Sequence, residues 1–137
     1  ASDVYKRQLI NHSENRIDLE EIKKFVEICK KYKIETLVCS KNIKEAKKID
    51  NLNPTYIAYE DPELIGSGIP ISKARANTVK DFVNSVKSIP ICGAGITNKE
   101  DVLAARELGC KGVLIASAFA KAKNKKKFLK EIMIWNF

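Results

Sequence analysis

Short β-rich runs alternate with amphipathic helical patterns along almost the whole chain, and this alternation constrains the fold most. The runs are rich in valine, isoleucine, leucine and tyrosine, and turn residues separate them from the helical stretches. Apolar strands that alternate with helices are typical of a parallel sheet whose faces are covered. The five predicted strands are Leu9 to Ile10, Thr36 to Cys39, Tyr56 to Tyr59, Ile89 to Cys92 and Gly112 to Ala116.

The helical stretches carry apolar residues on one face and mostly lysine and glutamate on the other. Three of them begin with a residue that can cap the helix and a glutamate three positions later. The predicted cap pairs are Asp18 with Glu21, Asn42 with Glu45, and Thr97 with Glu100. The predicted apolar stripes are Leu19, Ile22, Val26 and Cys29; Ile43, Ala46 and Ile49; Val79, Phe82, Val83 and Val86; Val102 and Ala105; and Phe128, Leu129, Ile132 and Trp135.

Five βα units in succession suit either a (β/α)₈ barrel or a doubly wound sheet. A barrel needs eight units and typically about 250 residues, whereas this chain has 137 residues. The segment from Ala1 to Gln8 looks like the translation of a sequencing adapter, and no initiator methionine precedes it. We therefore predict an α/β fold: a truncated (β/α)₈ barrel with about five βα units. It would form a single domain over residues 9–137, behind a non-native segment at residues 1–8.

Composition argues against several classes of protein. No apolar run approaches the roughly 20 residues of a membrane span, and no secretory signal is present. The four cysteines show no Cys-x-x-Cys spacing, so we expect reduced, mostly buried thiols in a cytoplasmic protein and no metal site. They are Cys29, Cys39, Cys92 and Cys110.

The net charge of +8 raises the hypothesis of a nucleic-acid partner. Most lysines, however, are spread over the polar faces of helices, where solvation explains them. Only Lys121 to Lys130 is a dense cluster, and it alternates with no aromatic stacking platform. We expect no nucleic-acid partner. The alternative is a basic RNA-binding module built on this cluster, which would bind in a strongly salt-dependent manner.

Two strand ends carry groups suited to acid–base chemistry. The third run ends on Glu60, and the loop up to Gly68 contains a proline and two glycines. A carboxylate at the carboxyl end of a strand, followed by a mobile loop, suits a general base under a lid. The first run leads into His12, the only histidine of the chain. The alternative is that Glu60 only solvates a turn and that His12 is a structural residue at a strand end.

The last two strands lead into loops that suit a phosphate group. Gly95 follows the fourth run, and Ala116 and Ser117 follow the fifth. Glycine lets backbone N–H groups approach a phosphate closely, and N–H groups near a helix start are free to donate. In barrels, phosphate is often held by the loops after the last two strands. These motifs alone predict a phosphate-binding barrel, with simple turn chemistry as the alternative.

Four motifs taken in order identify a specific resemblance. They are Asn11 to Glu14, the run Glu60 to Gly68 with Ile69 to Ala74 after it, Cys92 to Ile96, and Gly112 to Ser117. Together they resemble triosephosphate isomerase of the archaeal type, from Leu9 to about Lys123. The resemblance implies that the five runs are strands four to eight of a TIM barrel.

The resemblance also implies roles for individual residues. His12 would be the electrophile, kept neutral, and Glu60 the proton-abstracting base, with residues 60–68 as the closing loop. Ile65, Gly95, Ala116 and Ser117 would contact the substrate phosphate through their backbone. The substrate would be a triose phosphate, interconverted between dihydroxyacetone phosphate and D-glyceraldehyde 3-phosphate without a cofactor, in glycolysis and gluconeogenesis. The full-length form would be a homo-oligomer, a tetramer in the family.

The chain departs from the family pattern in three places. Asp61 stands where relatives usually carry proline, so the first hinge of the loop is expected to be looser or more charged. The stretch from Lys73 to Ile91 is shorter than in typical relatives. The family's asparagine and catalytic lysine near the first strand have no counterpart here, so the chain by itself is expected to be inactive. The alternative function is another phosphate-binding barrel enzyme, of the ribulose-phosphate-binding type.

Overall fold

The computed structural model describes residues 7–133, which form a five-stranded sheet and the helices that pack around it. The strands are β1 (Arg7–Ile10), β2 (Glu35–Ser40), β3 (Tyr56–Glu60), β4 (Ile89–Gly93) and β5 (Gly112–Val113). The helices are α1 (Leu19–Lys31), α2 (Ile43–Asp50), α3 (Ile71–Ala74), α4 (Ala76–Ser85), α5 (Lys99–Glu107), α6 (Ser117–Lys121) and α7 (Lys125–Ile132). A single 3₁₀ turn at Pro62–Leu64 follows β3.

The sheet is parallel throughout, and its strands lie side by side in chain order from β1 to β5. A doubly wound sheet would reverse its strand order at a switch point, where ligands bind. The described strands show no such reversal. Their order is that of consecutive units of a (β/α)₈ barrel, which confirms the predicted truncated barrel.

The main core lies between the sheet and the helices. Ile57 and Tyr59 of β3 point into it, and so do Val26 of α1 and Phe82 of α4. The opposite face of the sheet carries a smaller apolar layer that no helix from α1 to α5 enters. Such an inner layer is what fills the interior of a closed barrel. Its members are Cys39, Ala58 and Ile91, with Leu37, Tyr56 and Leu114 packed against them.

The predicted caps hold for two helices and fail for one. Asp18 and Asn42 each accept a hydrogen bond from the third backbone N–H that follows. The cap of α5, however, is Asn98 and not Thr97. Thr97 instead donates to the Asp101 carboxylate through both its backbone N–H and its hydroxyl, at 3.0 Å each. The prediction was wrong by one residue because both threonine and asparagine can cap a helix.

The predicted fifth strand is also longer than the observed one. Leu114 still donates its N–H to the Cys92 carbonyl at 2.9 Å. On the neighbouring strand, Ala94 directly follows the end of β4 and adopts a φ of 77°, so the backbone after β4 turns away from β5. Ile115 and Ala116 therefore lack a ladder partner, and the strand ends at Val113.

The first strand starts earlier than predicted. Arg7 and Gln8 lie in β1 and pair with Glu35 and Thr36 of β2. Residues 1–6 lie outside the described part of the chain, as does Trp135 of the last predicted stripe. That residues 1–8 are non-native stays a prediction. Within residues 7–133, the helices are too short and too polar to cross a lipid bilayer.

Candidate active site

The carboxyl ends of the strands border an open cleft of about 550 Å³. Because parallel strands end at the same edge of a sheet, residues far apart in sequence meet there. All six residues that the sequence analysis singled out line this cleft. They are His12, Glu60, Ile65, Gly95, Ala116 and Ser117.

The His12 imidazole is held by the turn that follows β1. The backbone N–H of Glu14 donates to His12 Nδ1 at 3.3 Å. Because Nδ1 accepts this bond, the neutral imidazole carries its proton on Nε2. The donor edge of the ring, Nε2, lies 3.5 Å from Glu60 Oε2. The histidine therefore presents its N–H to the same space that the carboxylate faces.

Glu60 is the last residue of β3, and only 6% of it is exposed. Its Oε1 atom is buried and has no hydrogen-bond partner among the described residues. An unpaired carboxylate oxygen in a buried place is costly for the fold. The other oxygen, Oε2, faces His12 across the cleft and is the atom available to take a proton from a ligand.

Two residues on the neighbouring strands surround the Glu60 carboxylate. A Cβ atom on Gly93 of β4 would lie 3.1 Å from Glu60 Cγ and 3.2 Å from Glu60 Oε2. On the other side, Cys39 of β2 interacts with the carboxylate: burial and then the negative charge of Glu60 raise the pKa of its thiol. The glycine leaves room for the carboxylate, and the protonated thiol contributes no negative charge beside it.

Asn11 fixes the backbone immediately before His12. It is buried and adopts a φ of 61°, which asparagine tolerates better than most residues. Its side-chain amide donates to the Cys39 carbonyl at 2.9 Å, and its Oδ1 accepts the N–H of Ile17 at 3.0 Å. The amide thus ties the turn after β1 to β2, which holds the histidine in place.

The loop after Glu60 has a structured first half and an open second half. Asp61 Oδ1 accepts the Glu63 N–H at 3.0 Å and caps the 3₁₀ turn, and Leu64 is buried. Gly66 and Gly68 then adopt φ values of 72° and 74°, with no other atoms near their Cβ positions. This loop has the composition of a lid.

Gly95 lies in close contact with the far end of that loop. It adopts a φ of 70°, and a Cβ atom there would lie 1.8 Å from the Ile69 carbonyl oxygen. Only glycine fits this position. The loop after β4 and the end of the lid therefore approach each other backbone to backbone.

The start of α6 forms part of the wall of the cleft. The first N–H groups of a helix have no intrahelical acceptor and can bind an anion. Ser117 and Lys121, one turn apart on α6, both line the cleft. Among the described residues, Lys121 is the only lysine or arginine in the lining. Glu14 and Glu60 also line the cleft, so its charged groups include two carboxylates and one ammonium.

Three residues act on the predicted ones without having been assigned a role from sequence. Asn11 and Gly93 lie within the motifs Asn11 to Glu14 and Cys92 to Ile96, and Cys39 lies in a predicted strand. Their contacts depend on the strand register. The pairing of Glu60 with Gly93 and of Cys39 with Ala58 brings them to the carboxylate. Only Asn11 left a signal, because asparagine after a strand favours a positive φ.

Sequence comparison agrees with this geometry. A profile of the family described as triosephosphate isomerase matches residues 4–133. The triosephosphate isomerase of Methanocaldococcus jannaschii is 47% identical over 133 residues, covering 93% of this chain and 61% of the relative. That of Methanobrevibacter smithii is 47% identical over 130 residues, covering 91% and 59%. The chain thus spans about three fifths of the length of these relatives.

Structure comparison shows the fold alone. The α-subunit of tryptophan synthase from Pyrococcus furiosus superposes with a TM-score of 0.71 at 18% identity, over 93% of this chain and 55% of the other. The thiamine phosphate pyrophosphorylase of the same organism gives a TM-score of 0.66 at 19% identity, over 92% and 55%. The family assignment rests on the sequence comparison: the chain belongs to the triosephosphate isomerase family.

Proposed function

We propose that this chain carries the acid–base machinery of a triosephosphate isomerase, which interconverts dihydroxyacetone phosphate and D-glyceraldehyde 3-phosphate. One observation supports this more than any other. The donor edge of His12 lies 3.5 Å from the Glu60 carboxylate, whose other oxygen is unpaired among the described residues. A base and a hydrogen-bond donor that share one space are what an aldose–ketose isomerisation needs.

Glu60 acts as the base. Its carboxylate takes a proton from the carbon next to the substrate carbonyl, and the electron pair of that C–H bond forms an enediolate. A proton then passes from the substrate hydroxyl oxygen to the former carbonyl oxygen. The carboxyl group returns its proton to the neighbouring carbon, which completes the isomerisation. Cys39 and Gly93 surround the buried carboxylate and limit its movement. The carboxylate is therefore already oriented for proton transfer to and from the two carbons.

His12 stabilises the charge that develops on oxygen. Its Nε2–H donates to the carbonyl oxygen as that atom becomes an enediolate oxygen. The Glu14 N–H keeps the ring in this orientation through Nδ1. A glutamate base that acts beside a neutral histidine is the established pattern of this enzyme family, and these two residues fit it.

The phosphate group is held by backbone groups of the lid, of the loop after β4 and of the start of α6. Ile65, Gly95, Ala116 and Ser117 of these segments line the cleft. Lys121 supplies a positive charge in the cleft. This charge attracts a phosphate dianion and reduces its repulsion by the carboxylates of Glu14 and Glu60. Closure of the lid excludes water from the enediolate.

The test is a chimaera in which residues 9–133 of this chain replace the matching part of the M. jannaschii relative. We expect turnover of dihydroxyacetone phosphate, measured by coupled oxidation or reduction of a nicotinamide cofactor. A folded chimaera that binds phosphate but shows no isomerisation would contradict the proposal and favour another phosphate-binding barrel enzyme.

The proposal has three further parts that the family resemblance alone supports. They are a cytoplasmic location, a homo-oligomeric full-length form, and the lack of turnover by this chain alone. For the last part there is also a physical reason. β1 and β5 are edge strands of the described sheet, and their outer edges have no strand partner. The chain alone should turn over far more slowly than the chimaera in the same assay.

A further inference from the structure

Arg75 connects two residues in the first half of the lid, Asp61 and Glu63, to the body of the protein. Its Nε atom donates to Asp61 Oδ2 at 2.9 Å. Its Nη2 atom donates to Glu63 Oε2 at 3.4 Å. The Asp61 side chain is only 13% exposed, whereas that of Glu63 is 82% exposed. The contact with Asp61 is therefore the stronger of the two.

Arg75 itself belongs to a fixed part of the fold. Its backbone N–H donates to the Ile71 carbonyl at 2.9 Å, and its carbonyl accepts the Val79 N–H at 2.9 Å. Ile71 and Val79 are fully buried in the main core. The guanidinium thus reaches from a rigid helix junction back to the residue that directly follows Glu60.

These contacts divide the lid into two mechanical parts. The first part contains the Asp61 cap, the 3₁₀ turn and the buried Leu64, and Arg75 holds it to the helices. The second part contains Gly66 and Gly68, whose surroundings are open. Motion should therefore be concentrated in the second part, because its two glycines are permissive and only local hydrogen bonds through Ser67 hold it.

We propose that Arg75 is a positioning residue of the isomerase: by holding Asp61, it fixes the Glu60 carboxylate and the first hinge of the lid. This inference rests on the proposed function. Asp61 does not restrict the backbone by itself in the way that a proline would. In this chain the ion pair between Arg75 and Asp61 restricts the backbone instead. The first hinge of the lid is therefore charged and also held in place.

The inference has a chemical consequence at the enediolate. If the lid opens before Glu60 returns the proton, the bond between carbon and the phosphate oxygen can break. Inorganic phosphate then leaves with that electron pair, and the remaining three-carbon fragment is an enol aldehyde. Loss of Arg75 should increase this elimination relative to isomerisation.

The first experiment uses this chain as it stands. Amide hydrogen exchange is compared between the chain, Arg75→Gln, and the control Lys80→Gln, which removes an exposed charge from α4 away from the lid. We expect faster exchange at Asp61, Glu63 and Leu64 in Arg75→Gln only, by about threefold to tenfold. Equal exchange at these residues in all three proteins would overturn the inference.

The second experiment uses the chimaera and measures both products. Arg75→Gln should lower kcat by about threefold to tenfold with a small change in KM, and should raise the fraction of phosphate eliminated. Arg75→Lys should recover only part of the loss, because one ammonium cannot reproduce the fork of a guanidinium. Asp61→Asn should give the same defect, and Asp61→Asn with Arg75→Gln should be no worse than either alone.

The outcomes separate this inference from the proposed function. If Arg75→Gln leaves kcat and the elimination fraction unchanged in an active chimaera, the inference is wrong and the isomerase assignment stands. If the chimaera folds and lacks isomerase activity altogether, the proposed function is wrong. An elimination fraction that rises equally in Lys80→Gln would show a general loss of stability and would also overturn the inference.

Discussion

The Gly95 backbone and the Ile69 carbonyl lie so close that a Cβ atom on Gly95 would come within 1.8 Å of the Ile69 oxygen. The contact joins the loop after β4, which is proposed to hold phosphate, to the end of the lid. A change at Gly95 therefore affects two functions at once, ligand binding and lid closure.

Replacement of Gly95 by alanine should impair both functions. The added Cβ is strained at a φ of 70° and displaces the Ile69 carbonyl. We expect a higher KM, weaker inhibition by inorganic phosphate and a lower kcat in the chimaera. Gly66→Ala is the matched control, since its φ is 72° but no atom lies near its Cβ position. Equal kinetic defects in both variants would show that backbone strain alone, and not the contact with Ile69, is responsible.

Acid should weaken the fold through Asp101. Burial raises the pKa of this carboxyl group, but hydrogen bonds from Thr97 and Lys73 outweigh burial and hold the pKa below its usual value. Because the folded-state pKa is lowered, the stabilisation is present above the unfolded-state pKa of about 4. It is lost as the pH falls through that value towards the folded-state pKa.

The measurement is urea unfolding of this chain between acidic and neutral pH. Asp101→Asn should lower the free energy of unfolding by about 1–3 kcal/mol at neutral pH, with a smaller difference in acid. Glu100→Gln serves as the control, because Glu100 is exposed on the same helix. A difference between Asp101→Asn and the parent chain that stays constant with pH would contradict this account.

The four cysteines should be almost unreactive in the folded chain. All are buried, and burial raises the pKa of Cys29 and, together with the Glu60 charge, that of Cys39. Thiolates are the reactive form, so Cys29 and Cys39 lack both access and ionisation. The hydrogen bond with Cys92 lowers the pKa of Cys110, and burial alone protects that thiol. A colourimetric thiol reagent should label four cysteines in denaturant and none rapidly without it. Fast labelling of a single cysteine in the native chain would show that its part of the core is open.

Lys121 should strengthen the binding of phosphate ligands. It is the only lysine or arginine that lines the cleft within the described chain. Lys121→Gln should weaken inhibition by inorganic phosphate in the chimaera by about threefold to tenfold at low ionic strength, and less at high ionic strength. Lys123→Gln makes the same change of net charge outside the cleft lining. A similar effect of both variants would assign the result to overall charge.

Local sequence signals predicted most of the strands and the longer helices. Apolar runs bounded by turn residues predicted the ends of each strand from β1 to β4 to within two residues, because both signals are local. The six candidate residues line one cleft, since each directly follows or lies near a strand end, and their roles stay a prediction.

Features that depend on register or on distant partners could not be predicted. The length of β5 depends on the turn at Ala94 of the neighbouring strand. The hinge at Asp61 was expected to be looser or more charged, and its ion pair with Arg75 became visible only in the structure. Arg75 lies 14 residues further on, and no local pattern connects the two.

The central claim is that Glu60 transfers the proton, and hydrogen exchange into the substrate tests it most directly. The chimaera is incubated with dihydroxyacetone phosphate in deuterium oxide, and nuclear magnetic resonance follows the carbon-bound hydrogen next to the carbonyl. Glu60→Gln keeps the shape of the side chain and removes the base, so exchange should slow by at least about 10²–10⁴-fold with phosphate binding retained. His12→Ala should also slow the exchange, because it removes the donor to the enediolate oxygen. Exchange at the parent rate in Glu60→Gln would contradict the account.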